Sequence, residues 1–221
     1  MHHPIRRLAV WFSERAIIEG ERANDSDHET LRRLGIALLS ADPAARNPSL
    51  PGAATPALEW LPLAIESATT PSVTARAFPL RETVGYATWR PPHAASSWSA
   101  SFRDNTAFGE LIGPTGPVMD DSVRFGFALF GPSTRYCEHA HGAAEIYFVL
   151  SSHLDCIVGH AKNAFRVNNG DFAVIGPHQR HELRSGPAPT LTLWAWLDDV
   201  HAATYRREGG AWRQGQQVSV D

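Results

Sequence analysis

The 221 residues are 43% apolar and 10% aromatic, enough for one sizeable packed domain or for a core domain with a helical extension. A net charge of −3 with no basic cluster argues against a nucleic-acid surface, and no apolar run approaches the length of a membrane span. Two cysteines, Cys137 and Cys156, are too few for a disulfide framework and match no zinc-ribbon spacing.

In chain order, Arg6-Arg7 ahead of Leu8-Ala9-Val10-Trp11-Phe12 resembles the start of a secretory leader. Glu14 and Arg15 cut that apolar run short, so a cytoplasmic protein is expected. Ile5, Leu8, Ala9, Phe12, Ala16 and Ile17 recur at helical spacing. Ser26-Asp27-His28-Glu29 reads as a capping box ahead of a second helix carrying Leu31, Leu34, Ile36, Leu38 and Leu39. Prolines at 43, 48, 51, 56 and 62 break this pattern, with a short helix expected around 58–65.

From about Val73 the pattern turns to β. Short strand-like runs fall at 75–78, 85–89, 125–130, 146–150, 154–158, 164–167, 172–175 and 191–197, punctuated by turn residues such as Asn168-Asn169-Gly170-Asp171. Many short strands at close spacing indicate a sandwich or barrel. The division expected is a helical extension over residues 1–72 packing on a β-barrel over residues 73–221.

The most informative stretch is His139-Ala-His141-Gly-Ala-Ala-Glu145-Ile-Tyr147. Side chains alternate faces along a strand, so His139 and His141 pair on one face, as do Glu145 and Tyr147. A hairpin closed at Gly142-Ala143-Ala144 would bring all four into one pocket. His181 supplies a third imidazole downstream, with His178 a weaker competitor or an outer donor that orients a ligand. Three imidazoles and a carboxylate suit one divalent transition metal, zinc first, with iron, manganese or nickel as alternatives. His28, His93, His153 and His201 read as solvated or structural.

These residues resemble the cupin family, whose first motif has His-x-His followed by three residues and Glu, here His139, His141 and Glu145. In its second motif a glycine leads by eleven residues to the last ligand, matched by Gly170 and His181. This chain departs from the pattern in its turns: the glycine before the histidine pair is displaced to Gly131, Ser152 stands where one follows the glutamate, and Pro177 sits one place late. The resemblance implies a mainly β fold, the cupin double-stranded β-helix or jelly-roll barrel, holding the metal on His139, His141, Glu145 and His181.

Within that family, Tyr147 two after Glu145 and Tyr136 three before His139 resemble the cupin dimethylsulfoniopropionate lyases, which carry a helical extension ahead of the barrel. The resemblance implies cleavage to dimethyl sulfide and acrylate by β-elimination, with Tyr147 as the base and Tyr136 in substrate binding. Strict alternation puts Cys137 on the ligand face and leaves Tyr136 outside unless a bulge intervenes. Aromatic faces bind a sulfonium cation well, which nominates Trp194 and Trp196, with Phe127 or Tyr86; the alternative for the tryptophans is packing beneath the helices. His178 is a further candidate at the substrate. Competing expectations are another metal-dependent cupin enzyme, a dioxygenase or isomerase, or a non-catalytic small-molecule-binding protein. The expected partner is a small-molecule substrate, with no nucleic acid and no membrane, and a homodimer is compatible with the family.

Overall fold

The computed structural model describes residues 4–23, 25–46, 52–69, 80–92, 98–161, 163–208 and 211–214. The strand expected at 75–78 and His93 lie outside them.

Helices α1 (Pro4–Gly20) and α2 (Asp25–Ser40) form an antiparallel pair over the outside of the β structure. The apolar stripe of α1 is buried along Ile5, Leu8, Ala9, Phe12 and Ala16. Phe12 stacks on Phe125 and Phe172, with ring centroids 5.3 and 5.6 Å apart, and meets Phe148 edge-on at 5.8 Å. Leu31, Leu34 and Leu38 of α2 enter the same core. The expected capping box is displaced: α2 starts at Asp25, so Ser26 lies inside its first turn, and Glu29 pairs with Arg32 at 2.9 Å. A 3-10 turn, Pro56–Trp60, leads into α3 (Leu61–Thr69), with proline at the position where a missing N–H costs nothing. The short helix α4 (Leu80–Val84) then occupies chain just ahead of the expected strand at 85–89, which shrinks to β1 (Thr88–Arg90).

After α5 (Ala100–Asp104) the chain is all strand and turn. The strands are β2 (Thr106–Ile112), β3 (Val123–Phe130), β4 (Arg135–Ala140), β5 (Ala144–Val149), β6 (His153–Val158), β7 (Phe165–Asn168), β8 (Phe172–Ile175), β9 (His181–Ser185), β10 (Thr190–Leu197), β11 (Tyr205–Glu208) and β12 (Ala211–Gln214). They form two antiparallel six-stranded sheets, ordered β1-β2-β3-β10-β5-β8 and β12-β11-β4-β9-β6-β7 among the described residues. This is a mainly β, two-sheet barrel as expected, with the helices on the outer face of the first sheet. No helix among the described residues is long and apolar enough to cross a membrane.

The first sheet is buried on both faces, which explains why β5 reads as a continuous buried run. Ile146 and Phe148 point outward beneath the helices, while Tyr147 and Val149 point into the chamber between the sheets. At the close of β5, Ser152 adopts φ +56, so a serine holds the left-handed turn where the family pattern has glycine. Gly170, at φ +92, keeps the glycine that such a conformation favours.

Candidate metal centre

His139 lies on β4, His141 one residue past its end, Glu145 near the start of β5, and His181 is the first residue of β9. The expected hairpin does not form. β4 pairs with β9 and β11 in one sheet, whereas β5 pairs with β10 and β8 in the other. Gly142-Ala143-Ala144 is therefore a corner between sheets, and the carboxylate meets the imidazoles across the barrel. Convergence survives because jelly-roll strands that face each other present their inward residues to one chamber. His139 and His181 do sit opposite each other on paired strands, with ring centroids 3.9 Å apart.

One ligand atom from each of His139, His141, Glu145 and His181 lies within 4.8 Å of the others, and all four residues are buried. Each imidazole is anchored through Nδ1 to a backbone carbonyl: His139 to Cys137 at 2.8 Å, His141 to Ala143 at 3.0 Å and His181 to Gln179 at 2.9 Å. A neutral ring that donates from Nδ1 presents a lone pair at Nε2. Glu145 Oε2 stands 3.0 Å from His181 Nε2 and 3.2 Å from His141 Nε2. The His181 contact lacks hydrogen-bond geometry, and the buried His139 Nε2 has no hydrogen-bond partner. The His141 contact does have hydrogen-bond geometry, so that imidazole shares a proton with the carboxylate, and a cation at the centre would take that proton's place while also satisfying the nitrogens of His139 and His181. Burial holds His139 well below the ordinary histidine range, helped by neighbouring His181. Burial opposes ionisation of Glu145, but His141 and His181 outweigh it and hold the carboxyl well below its usual range.

Tyr147 is fully buried beside this cluster and donates its hydroxyl hydrogen to Glu145 Oε1 at 2.9 Å. Burial, and then the Glu145 charge, push its phenol well above the ordinary value. Tyr136 points inward: the β4–β9 register shifts between Tyr136 and His139, the irregularity that strict alternation lacks. Its ring stacks on His139 at 3.7 Å and on Phe102 at 4.4 Å. The same shift overturns the placement of Cys137 on the ligand face. Cys137 is half-buried and outside the ligand cluster, and burial raises its thiol pKa.

Trp194 and Trp196 both face the chamber rather than the helices. Trp196 Nε1 donates to Glu145 Oε1 at 2.8 Å, whereas Trp194 Nε1 is tied to the Phe127 carbonyl at 3.0 Å. Phe127 and Tyr86 do not join them. Phe127 faces the outer core, stacked on Trp89, because it sits one residue out of phase with Ala128 and Phe130. Tyr86 is 42% exposed in the turn after α4. His178 is not in the ligand cluster. It takes φ +59 at the corner before β9, its backbone N–H donates to the His141 carbonyl at 2.8 Å, and its ring is exposed. There it lines an outer cavity of about 470 Å³ with Ala140, His141, Arg180, Tyr205 and Trp212.

Sequence reasoning missed three contributors. Trp98 and Phe102, from the segment around α5, wall the chamber against Tyr136. Arg124 lies beneath both tryptophans, and the only sequence signal for it is an arginine opening an otherwise apolar strand.

Comparison with known proteins points to one family. The model of the DMSP lyase family, described as dimethylsulfoniopropionate lyase, matches residues 30–192. The dimethylsulfoniopropionate lyase DddQ of Ruegeria pomeroyi is 31% identical over 119 residues, which are 53% of this chain and 58% of that relative. The solved DddQ structure from R. pomeroyi DSS-3 superposes with a TM-score of 0.64 at 23% identity, covering 86% of this chain and 95% of that one. A structure reported with the DMSP lyases RdDddP and RnDddQII gives a TM-score of 0.62 at 19% identity, over 92% and 100% of the two chains. At these identities the structural likeness is one of fold.

Proposed function

The chain belongs to the dimethylsulfoniopropionate lyase family, and from that premise we propose that it is a carbon–sulfur lyase cleaving dimethylsulfoniopropionate to dimethyl sulfide and acrylate. The observation that carries this reading is the buried convergence of three imidazole nitrogens on a carboxylate whose other oxygen holds the Tyr147 hydroxyl. His139, His141, Glu145 and His181 would hold one divalent transition metal, with zinc the first candidate from an all-imidazole and carboxylate donor set. When bound, such an ion supplies Lewis-acid stabilisation for the substrate carboxylate and the charge that develops next to it, and its positive field favours an ionised Tyr147.

The remaining steps fall to the chain's own residues. Tyr147, as phenolate, removes the proton from the carbon beside the substrate carboxylate. The C–H electron pair becomes the new C=C bond, the C–S bond breaks with its pair going to sulfur, and neutral dimethyl sulfide departs. Acrylate remains, and the proton on Tyr147 returns to solvent. Without the cation the reaction is disfavoured, because burial and Glu145 keep Tyr147 protonated. Tyr136, Trp98 and Phe102 form a dry aromatic wall beside His139, suited to a fixed sulfonium cation and to excluding water.

The test is headspace detection of dimethyl sulfide from purified protein given dimethylsulfoniopropionate, with metal-stripped, metal-restored and Tyr147→Phe samples in parallel. Gas release that needs both the metal and Tyr147 supports the assignment in full. Release that persists in Tyr147→Phe moves the base elsewhere, with Tyr136 tested next. No release with any of zinc, iron, manganese or nickel overturns the lyase reading.

A further inference from the structure

Three residues lie in one straight row across the first sheet. Arg124 of β3 is the register partner of Trp196 on β10, and Trp196 is in turn the register partner of Glu145 on β5. Direct cross-strand partners share a face, so the three side chains follow one another toward the metal centre. At the inner end, Trp196 Nε1 donates to Glu145 Oε1 at 2.8 Å, and the indole ring lies 4.4 Å from the His141 imidazole. At the outer end, the Arg124 guanidinium sits 5.6 Å from the Trp196 ring and 5.7 Å from that of Trp194. Arg124 is itself fixed by Glu110 Oε2, which accepts from its Nε at 2.8 Å and its Nη2 at 2.6 Å. Glu110 is buried, and its other oxygen accepts the Thr115 backbone N–H at 2.7 Å.

The two oxygens of Glu145 are therefore unlike. Oε1 accepts two hydrogen bonds, from Tyr147 and Trp196, and the Trp196 N–H is the one that stays in place when Tyr147 ionises. Oε2 faces the imidazole nitrogens instead, with hydrogen-bond geometry toward His141 Nε2 at 3.2 Å and none toward His181 Nε2 at 3.0 Å, so it is the oxygen on the side of the prospective metal ligands. We propose that Trp196, braced by the Arg124–Glu110 pair, is a positioning residue that occupies Glu145 Oε1, so that the carboxylate offers a metal only Oε2. This rests on the metal-dependent reading above and adds to it a reason for the row Arg124–Trp196–Glu145. A carboxylate free to turn can present one oxygen or both, and presenting both would fill a coordination position that a substrate carboxylate needs.

Replacing Trp196 with phenylalanine keeps an aromatic ring and removes the N–H. The metal-stripped full chain, wild type and Trp196→Phe, is titrated with zinc and separately with cobalt(II), whose visible absorption reports coordination number. Loss of an outer hydrogen bond to a ligand typically lowers metal affinity by about 10- to 100-fold, and that is the loss expected for zinc. The cobalt bands of the variant should weaken as a second oxygen enters, while the unfolding midpoint of the metal-stripped variant stays near that of wild type. A structural role alone would lower that midpoint and leave the cobalt spectrum unchanged. If Trp196→Phe does not fold, the paired change Arg124→Gln with Glu110→Gln decides the matter, since it loosens the indole while removing both charges together. The same spectral change at reduced size supports the proposal. Wild-type affinity and spectrum in the folded variant overturn it and leave the lyase reading standing. A wild-type chain that takes up neither ion overturns both.

Discussion

Along β5, Ile146 and Phe148 lie beneath the helices while Glu145 and Tyr147 face the chamber, and none of the four is more than 2% exposed. Burial therefore does not distinguish the two sides of this strand; the chemistry of the neighbours does. Outside, Phe148 meets Trp11, Phe12 and Phe172, so every contact is hydrocarbon against hydrocarbon and the gain is removal of apolar surface from water. Inside, Glu145 meets imidazole nitrogens and two hydrogen-bond donors, and burying such groups is unfavourable unless each finds a partner. The outer core holds the barrel together, and the inner cluster draws on that stability to keep polar atoms in an arrangement that could hold a cation.

The contrast is broken most strongly from the inside. Tyr147→Phe should lower the rate of dimethyl sulfide release by about two to four orders of magnitude, as loss of a general base does, with the folded state retained. A variant that unfolds would instead make Tyr147 an ordinary core residue. From the outside, Phe12→Ala removes the ring stacked on Phe125 and Phe172 and should cost about 3–5 kcal/mol in a denaturant titration. Metal affinity measured on the fraction still folded should be unchanged, because Phe12 touches none of the ligands. Zinc at a hundredfold excess over its dissociation constant should stabilise the wild type by about 2.7 kcal/mol, and Glu145→Gln should abolish the increment. Equal stabilisation in that variant would place the metal elsewhere.

The smallest expected effect is on pH dependence in the metal-free protein, where stability falls on both the acid and the alkaline side. The folded-state pKa of His139 lies well below its ordinary 6.5, so below about pH 6.5 the unfolded chain takes up a proton that the folded chain refuses. Stability falls as pH drops through that region. The Cys156 thiol, pushed by burial from 9.0 to about 12, acts oppositely: above pH 9 the unfolded chain ionises first, and stability falls as pH rises toward 12. Denaturation midpoints should therefore be highest between about pH 7 and 8.5. A curve still rising below pH 6 would mean that His139 is charged when buried.

Much of the fold was legible because the signals are local. The helical stripe from Ile5 to Ala16 is buried as its spacing predicts, and the runs that became β3, β5, β6, β7, β8 and β10 are apolar enough to read as strands. β9, His-Glu-Leu-Arg-Ser, reads as polar because its charges point outward, with Glu182 paired to Arg135 and Arg184. β2 was hidden by Gly109 and Glu110. That glycine is needed because the Trp89 ring passes 2.7 Å from where a Cβ would stand, a contact made by a residue far off in sequence.

The sequence by itself determined which atoms are available for chemistry: two histidines two apart, a glutamate four further on, a tyrosine two beyond it and a distant third histidine. Alternation along a strand then settled which of them share a face, since that periodicity is a property of the backbone alone. Only the tertiary structure decided how they meet. The glutamate comes from the opposite sheet instead of from a hairpin, a register shift turns Tyr136 inward, Phe127 faces the helices, and Arg124, Trp196 and Glu145 form a row on three strands that are not consecutive in the chain. Strand pairing and register are set by contacts between distant segments, and no spacing within one segment encodes them.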